Sequence, residues 1–86
     1  MKLKLETEEI DLPNTIYLDQ LMLVDLELME QIKTKTIPPQ DLLRWFVNFF
    51  KAIGIPHRWE LKEFIPNQEQ LIVWLGELFE GFQTSN

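Results

Sequence analysis

Pro38-Pro39-Gln40-Asp41-Leu42-Leu43-Arg44-Trp45-Phe46-Val47-Asn48-Phe49-Phe50-Lys51-Ala52-Ile53-Gly54 carries the punctuation of a helix at both ends. Proline is favoured in a first helical turn, where its missing N–H would have had no intrahelical partner. Glycine just past the last turn supplies the left-handed residue that commonly ends a helix. Between them Asp41, Arg44, Asn48 and Lys51 fall at i, i+3, i+7 and i+10 and form one narrow polar stripe. The remaining positions, Leu42, Leu43, Trp45, Phe46, Val47, Phe49, Phe50, Ala52 and Ile53, are apolar. That arc is wider than the roughly 100° of an ordinary surface helix. The helix is therefore either central to the fold or exposes an apolar flank.

Upstream, Leu18, Met22, Leu26 and Met29 recur at helical spacing, and Leu21, Val24, Leu28 and Ile32 widen the stripe. Residues Asp19 to Ile32 thus read as helical. Two versions fit: one helix capped by Asp19, or a break at Asp25, with Asp25 capping a shorter helix through Lys33. Lys33 and Lys35 suit the negative end of the helix dipole. Nearer the N-terminus, Lys2 to Glu6 alternates polar and apolar, the pattern of a short strand. Glu8, Glu9 and Asp11 lead to Pro13-Asn14, a turn signal. Thr15-Ile16-Tyr17-Leu18 is β-branched and aromatic and is expected to be a second strand pairing with the first. Two strands alone are marginal and need a helix, or another chain, to cover them.

Downstream, Ile55-Pro56-His57-Arg58 reads as an exposed connector, and Trp59 to Phe64 as one helical turn or two. Asn67, with Gln70 three residues on, has the form of a capping box. A third helix is predicted from about Gln68 to Phe79, with Leu71, Leu75, Leu78 and Phe82 on one side and Ile72, Trp74 and Phe79 beside them. Gly81 is expected to end it, and Thr84-Ser85-Asn86 to fray. Ile37-Pro38-Pro39-Gln40-Asp41-Leu42-Leu43 echoes Ile65-Pro66-Asn67-Gln68-Glu69-Gln70-Leu71. The simpler reading of the echo is that two helices start with the same chemistry; the alternative is duplication of a helical unit.

Together these readings predict a mostly α fold, three main helices in a small compact bundle with a minor N-terminal β element. The chain is expected to be a single helical domain over residues 1–86. A short β or extended arm would cover residues 1–18, a helical core 19–83 and a frayed tail 84–86. Leu43, Phe46, Phe50, Leu71, Leu75 and Leu78 are the expected core.

Composition narrows the functional classes. A chain of 86 residues has a thin core, burying roughly 60–65% of its unfolded surface. It has no cysteine, so neither disulfides nor thiolate zinc sites can reinforce it. Stability must come from apolar burial, and three Trp, six Phe and one Tyr supply it. Fourteen acidic against eight basic residues give a net charge of −6. That balance argues against a nucleic-acid partner, which would need clustered Lys and Arg. No apolar run approaches the roughly 18 residues of a membrane span, and no signal peptide is evident. A cytoplasmic location and no membrane partner are therefore expected.

Candidate sites are few. His57, the one histidine, has no thiol or evident nucleophile to activate, and the preferred reading is a solvated connector residue. Glu27 with Glu30 and Glu77 with Glu80 share helix faces, but the Glu-x-x-His pairs of bundle metal sites are absent. No catalytic residue, metal ligand or cofactor is assigned, and the chain is not expected to be an enzyme. The aromatic load exceeds a minimal core, and methionines add adaptable apolar surface. Trp45, Phe49, Trp59, Trp74, Met22 and Met29 are the expected partner-binding residues, for a protein partner or self-association.

The stretch Ile16-Tyr17-Leu18-Asp19-Gln20-Leu21-Met22-Leu23-Val24-Asp25-Leu26-Glu27-Leu28-Met29-Glu30, followed by small helices, resembles the start of some bacteriophage tail assembly chaperones. Those are small acidic helical proteins that often open with short strands and then a Leu-x-Asp-Leu-Glu type helix. The resemblance spans Lys2 to Phe50 as a pattern. It implies a cytoplasmic factor that shields apolar surface of a tail component during assembly. The expected function is thus a non-catalytic protein-binding module, adaptor or assembly chaperone. The alternative is an acidic inhibitor mimicking nucleic acid, which needs its carboxylates gathered on one face. Here they are spread along the chain, from Glu6, Glu8, Glu9 and Asp11 to Glu77 and Glu80.

Overall fold

The computed structural model describes residues 2–80. Gly81, Phe82 and the tail residues 84–86, to which the sequence assigns a helix stop, a helix-face position and fraying, lie outside the described residues. In chain order the elements are β1 (Lys2–Lys4), β2 (Glu9–Asp11), α1 (Leu18–Leu21), α2 (Leu26–Lys33), α3 (Pro39–Ala52) and α4 (Leu61–Leu78). The chain is mostly α, with three main helices and a minor N-terminal β element, as the sequence predicts. The described residues fall into two units. One runs up to Ile16 and resumes at His57; the other is Tyr17–Pro56.

In the first unit β1 and β2 pair antiparallel, Lys2 with Asp11, Leu3 with Ile10 and Lys4 with Glu9. Leu3 and Ile10 are buried, while the flanking charged residues are exposed. That is the period-two alternation of a strand with one face covered. The second strand is therefore not Thr15–Leu18. Leu5 N–H donates to the Glu8 carbonyl at 2.8 Å and closes a tight hairpin, so the chain returns ahead of the Pro13-Asn14 signal. Tyr17 instead precedes α1, where its N–H donates to the Gln20 side chain at 3.0 Å.

α4 also departs from expectation. It is one helix of 18 residues with Pro66 inside it, not a turn followed by a helix from Gln68. Its start is set by Glu60 and Glu63: the Glu60 N–H donates to Glu63 Oε1 at 3.0 Å. Asn67 is not a cap; its side-chain amide donates to the Glu63 carbonyl at 2.7 Å. Pro66 deprives the Lys62 carbonyl of its helical donor, but both residues are exposed, so water can satisfy that group. In α3, by contrast, Pro38, which aligns with Pro66, is the N-cap, and Pro39 follows it in the first turn. The two prolines of the sequence echo thus hold different helical positions, and shared helix-start chemistry does not explain the echo. The buried side chains of this unit are Leu3, Ile10, Leu12, Phe64, Leu71, Trp74, Leu75 and Phe79. Trp74 Nε1 donates to the Pro13 carbonyl at 2.8 Å and joins the end of the hairpin segment to α4.

In the second unit the chain breaks at Asp25. Its side chain accepts from Leu28 N–H at 3.2 Å and caps α2, the satisfaction of an orphan donor that favours Asp there. α2 and α3 end in the same way. Ile55 N–H reaches the Phe50 carbonyl and Gly54 N–H the Lys51 carbonyl; Thr36 N–H reaches Gln31 and Lys35 N–H reaches Ile32. Both are Schellman closures with a left-handed residue, Gly54 at φ 80° and Lys35 at φ 60°. On α3 the buried residues are Leu42, Trp45, Phe46, Phe49 and Phe50, at i, i+3, i+4, i+7 and i+8. This is an ordinary inward stripe. Leu43, expected in the core, is half-buried, and Val47 is exposed. On α4 Leu78 is likewise half-buried, while Trp74 and Phe79 are core.

Candidate functional site

Two local arrangements stand out, one in each unit. The first lies on the segment from Tyr17 to Leu23, where α1 spans four residues and buries none. Tyr17, Leu18, Met22 and Leu23 are all exposed, Leu18 by 80% and Met22 by 85%. Four large apolar side chains are thus exposed within seven residues. One of them, Leu23, lines a cleft of 220 Å³ together with Val24, Asp25, Leu28, Arg44, Trp45, Asn48 and Phe49.

The floor of this cleft is aromatic. Trp45 and Phe49, one turn apart on α3, stack at 4.8 Å with an 18° angle between rings. Trp45 also meets Phe46 edge to face at 5.4 Å. The Trp45 indole N–H donates to the Asp25 carbonyl at 2.9 Å. Arg44 stands at the rim, 3.9 Å from Asp41 on the same helix. The cleft thus offers apolar walls, one cation and a few polar groups, a setting for an aliphatic or aromatic side chain rather than for bond-making chemistry.

The second arrangement is built on His57. Its ring Nδ1 lies 3.0 Å from Glu8 Oε2 and its Nε2 lies 3.2 Å from Glu63 Oε1. The side chain is 12% exposed. Trp59 packs edge-on to the imidazole at 5.0 Å, and Phe64 edge-on to Trp59 at 6.1 Å. The reading of His57 as a solvated connector residue is therefore corrected. Its two partners come from the β1–β2 loop and from the first turn of α4, and no spacing in the sequence announces the first of these. The Glu63 carboxyl is held below its usual range, chiefly by the Glu60 N–H it accepts; His57 and Lys62 act in the same direction, and burial opposes them.

Of the six expected partner-binding residues, Trp45, Phe49, Trp74 and Met29 are buried. Each falls on the inward stripe of its helix, and Trp45 and Phe49 also line the cleft. Trp59 is half-buried against His57, and Met22 is exposed. Sequence reading missed Leu18, Leu23 and Tyr17 as surface residues, because a helical stripe looks alike whether it is covered or not. Among the described residues no group of three or more His, Cys, Asp or Glu is placed to hold a metal ion. No helix among them is long and apolar enough to cross a membrane. Set against protein-family models, curated proteins and solved structures, the chain matches none.

Proposed function

We propose that this protein is a non-catalytic binding module, an adaptor or assembly chaperone, that receives an apolar segment of a protein partner on the Tyr17–Leu23 surface and in the adjoining cleft. The observation that carries the reading is the exposure of Tyr17, Leu18, Met22 and Leu23 beside a preformed aromatic floor. Apolar surface of this kind is normally removed from water by a partner. Met22 adds a side chain suited to irregular partners. The likeness of Ile16–Glu30 to tail assembly chaperones points the same way, towards shielding of a structural subunit before assembly.

A photo-reactive residue in place of Met22 tests this in the cell that makes the protein. A discrete crosslinked protein species is expected, and it should disappear when Leu18→Ser and Leu23→Ser are added. The same probe at Lys62, on the other unit, should give no such species. Equal crosslinking from both positions, or none from Met22, would sink the proposal.

A further inference from the structure

The cleft of the Tyr17–Pro56 unit has a volume of 220 Å³, below the roughly 300–1,000 Å³ of sites that take drug-sized ligands. It is of a size for one residue of a peptide. Its apolar lining comes from Leu23, Val24 and Leu28 and from the stacked rings of Trp45 and Phe49. Its polar lining is Asp25, Arg44 and Asn48. The hydrogen-bonding capacity of these three is uneven. The Asp25 carbonyl already accepts the Met29 N–H at 3.2 Å and the Trp45 indole N–H at 2.9 Å. One oxygen of the Asp25 carboxylate accepts the Leu28 N–H at 3.2 Å, which sets that charge against the positive end of α2. The N–H groups of Leu23 and Val24 are likewise taken, by the Gln20 and Leu21 carbonyls. Arg44 brings five N–H donors and no acceptor. Its contact with Asp41 at 3.9 Å is longer than a hydrogen bond, so those donors stay open to an incoming anion. Asn48, one turn further along α3 and exposed, adds an amide donor. The cleft thus joins an apolar recess to a surplus of donors.

Resting on the reading of this face as a partner surface, we propose that the cleft receives the C-terminal residue of the partner protein. Its aliphatic or aromatic side chain lies on Trp45 and Phe49, and its free carboxylate is held by Arg44 and Asn48. An internal residue of a peptide brings one N–H donor for each carbonyl. A terminal residue carries an apolar side chain and two acceptor oxygens on the same α-carbon, which is the balance this lining lacks. The planar guanidinium fork matches a carboxylate, and capture of a C-terminal carboxylate is a recurrent mode of peptide recognition. Asp41 competes for the same guanidinium, but across an exposed and long contact of a kind that holds little.

Two experiments on the full chain decide it. The first is an NMR titration with N-acetyl-phenylalanine and with its carboxamide. The acid should shift the Trp45 indole N–H and the Asn48 side-chain amide saturably. It should bind about three- to fivefold more tightly than the carboxamide, the scale of one exposed ion pair. Arg44→Gln, at an exposed site, should remove that difference. Equal binding of acid and carboxamide, a difference that persists in Arg44→Gln, or no saturable shift in the millimolar range would each overturn the proposal. The second maps, by mass spectrometry, the partner peptide joined to a photo-reactive residue at Met22. That peptide should contain the partner's C-terminus. An internal peptide would overturn the proposal and leave the partner surface standing, whereas no crosslink from Met22 would overturn both.

Discussion

The indole N–H of Trp45 donates to the backbone carbonyl of Asp25 across 2.9 Å, twenty residues back in the chain. The same Asp25 caps α2 with its side chain. One residue thus ends the linker after α1, starts α2 and receives the largest side chain of α3. Trp45→Phe should keep most of the apolar burial and lose the hydrogen bond, costing about 1 kcal/mol. Asp25→Ala should cost about 0.5–2 kcal/mol through the lost cap. The two together should cost no more than their sum, because Asp25→Ala leaves the carbonyl in place. Urea melts of the four proteins measure this.

The inward stripe of α3 makes a matched pair of Leu42 and Leu43. Leu42 is buried and Leu43 half-buried. Leu42→Ala should cost about 2–5 kcal/mol, in the range of core truncations, and Leu43→Ala clearly less. Phe46→Ala and Phe50→Ala should each cost about 3–5 kcal/mol, a large share of what a domain of this size has. Equal losses at Leu42 and Leu43 in denaturant melts would contradict the stripe.

Gly54 and Lys35 close α3 and α2 with positive φ. At Gly54 an added Cβ would meet nothing within 4 Å, so Gly54→Ala tests backbone strain alone. A loss of about 1–2 kcal/mol is expected. Lys35 already bears that strain, and Lys35→Gly should stabilise the protein by up to about 1 kcal/mol. Thermal melts should therefore move in opposite directions for the two variants.

Leu18 and Met22 contribute exposed rather than buried surface. Leu18→Ser with Met22→Ser should change stability by no more than about 0.5 kcal/mol per site. It should nevertheless reduce self-association at high concentration and the binding of an apolar dye, read by sedimentation velocity and fluorescence. A monomeric, dye-silent unmodified protein would contradict the interaction surface.

Glu63 supplies acid-side pH dependence. Its carboxyl is held below the usual range in the folded protein. The stability it adds is therefore present above the unfolded carboxylate range and is lost as pH falls through its lowered folded value. Melts from pH 6 to 3 should show the protein weakening below about pH 4, and Glu63→Gln should flatten that decline. An unchanged slope in the variant would contradict it.

Local chemistry was enough to read α3 from the sequence. Pro38-Pro39, Gly54 and the 3.6-residue stripe act within one helix, and no distant residue is needed to place them. The same holds for one of the two readings at Asp25, whose cap bond spans three residues. α4 was misread because Pro66-Asn67 is a strong stop signal taken alone. The contrary signal was in the phase, since Phe64 and Leu71 lie seven apart and continue one stripe across the proline. The hairpin was misplaced because Thr15–Leu18 has better strand chemistry than Glu9-Ile10-Asp11; Ile10 is buried opposite Leu3 all the same.

What the sequence determined by itself was the helical class, the start and end of α3, and the absence of thiol chemistry, since these follow from residue identity and short spacing. Tertiary structure alone decided which apolar residues are covered and where His57 stands. Periodicity gives the direction of a stripe but not what lies over it, so buried Met29 and exposed Met22 read alike. Glu8 and His57 meet only because the hairpin and α4 belong to one unit, a proximity set by long-range folding and not by any local rule.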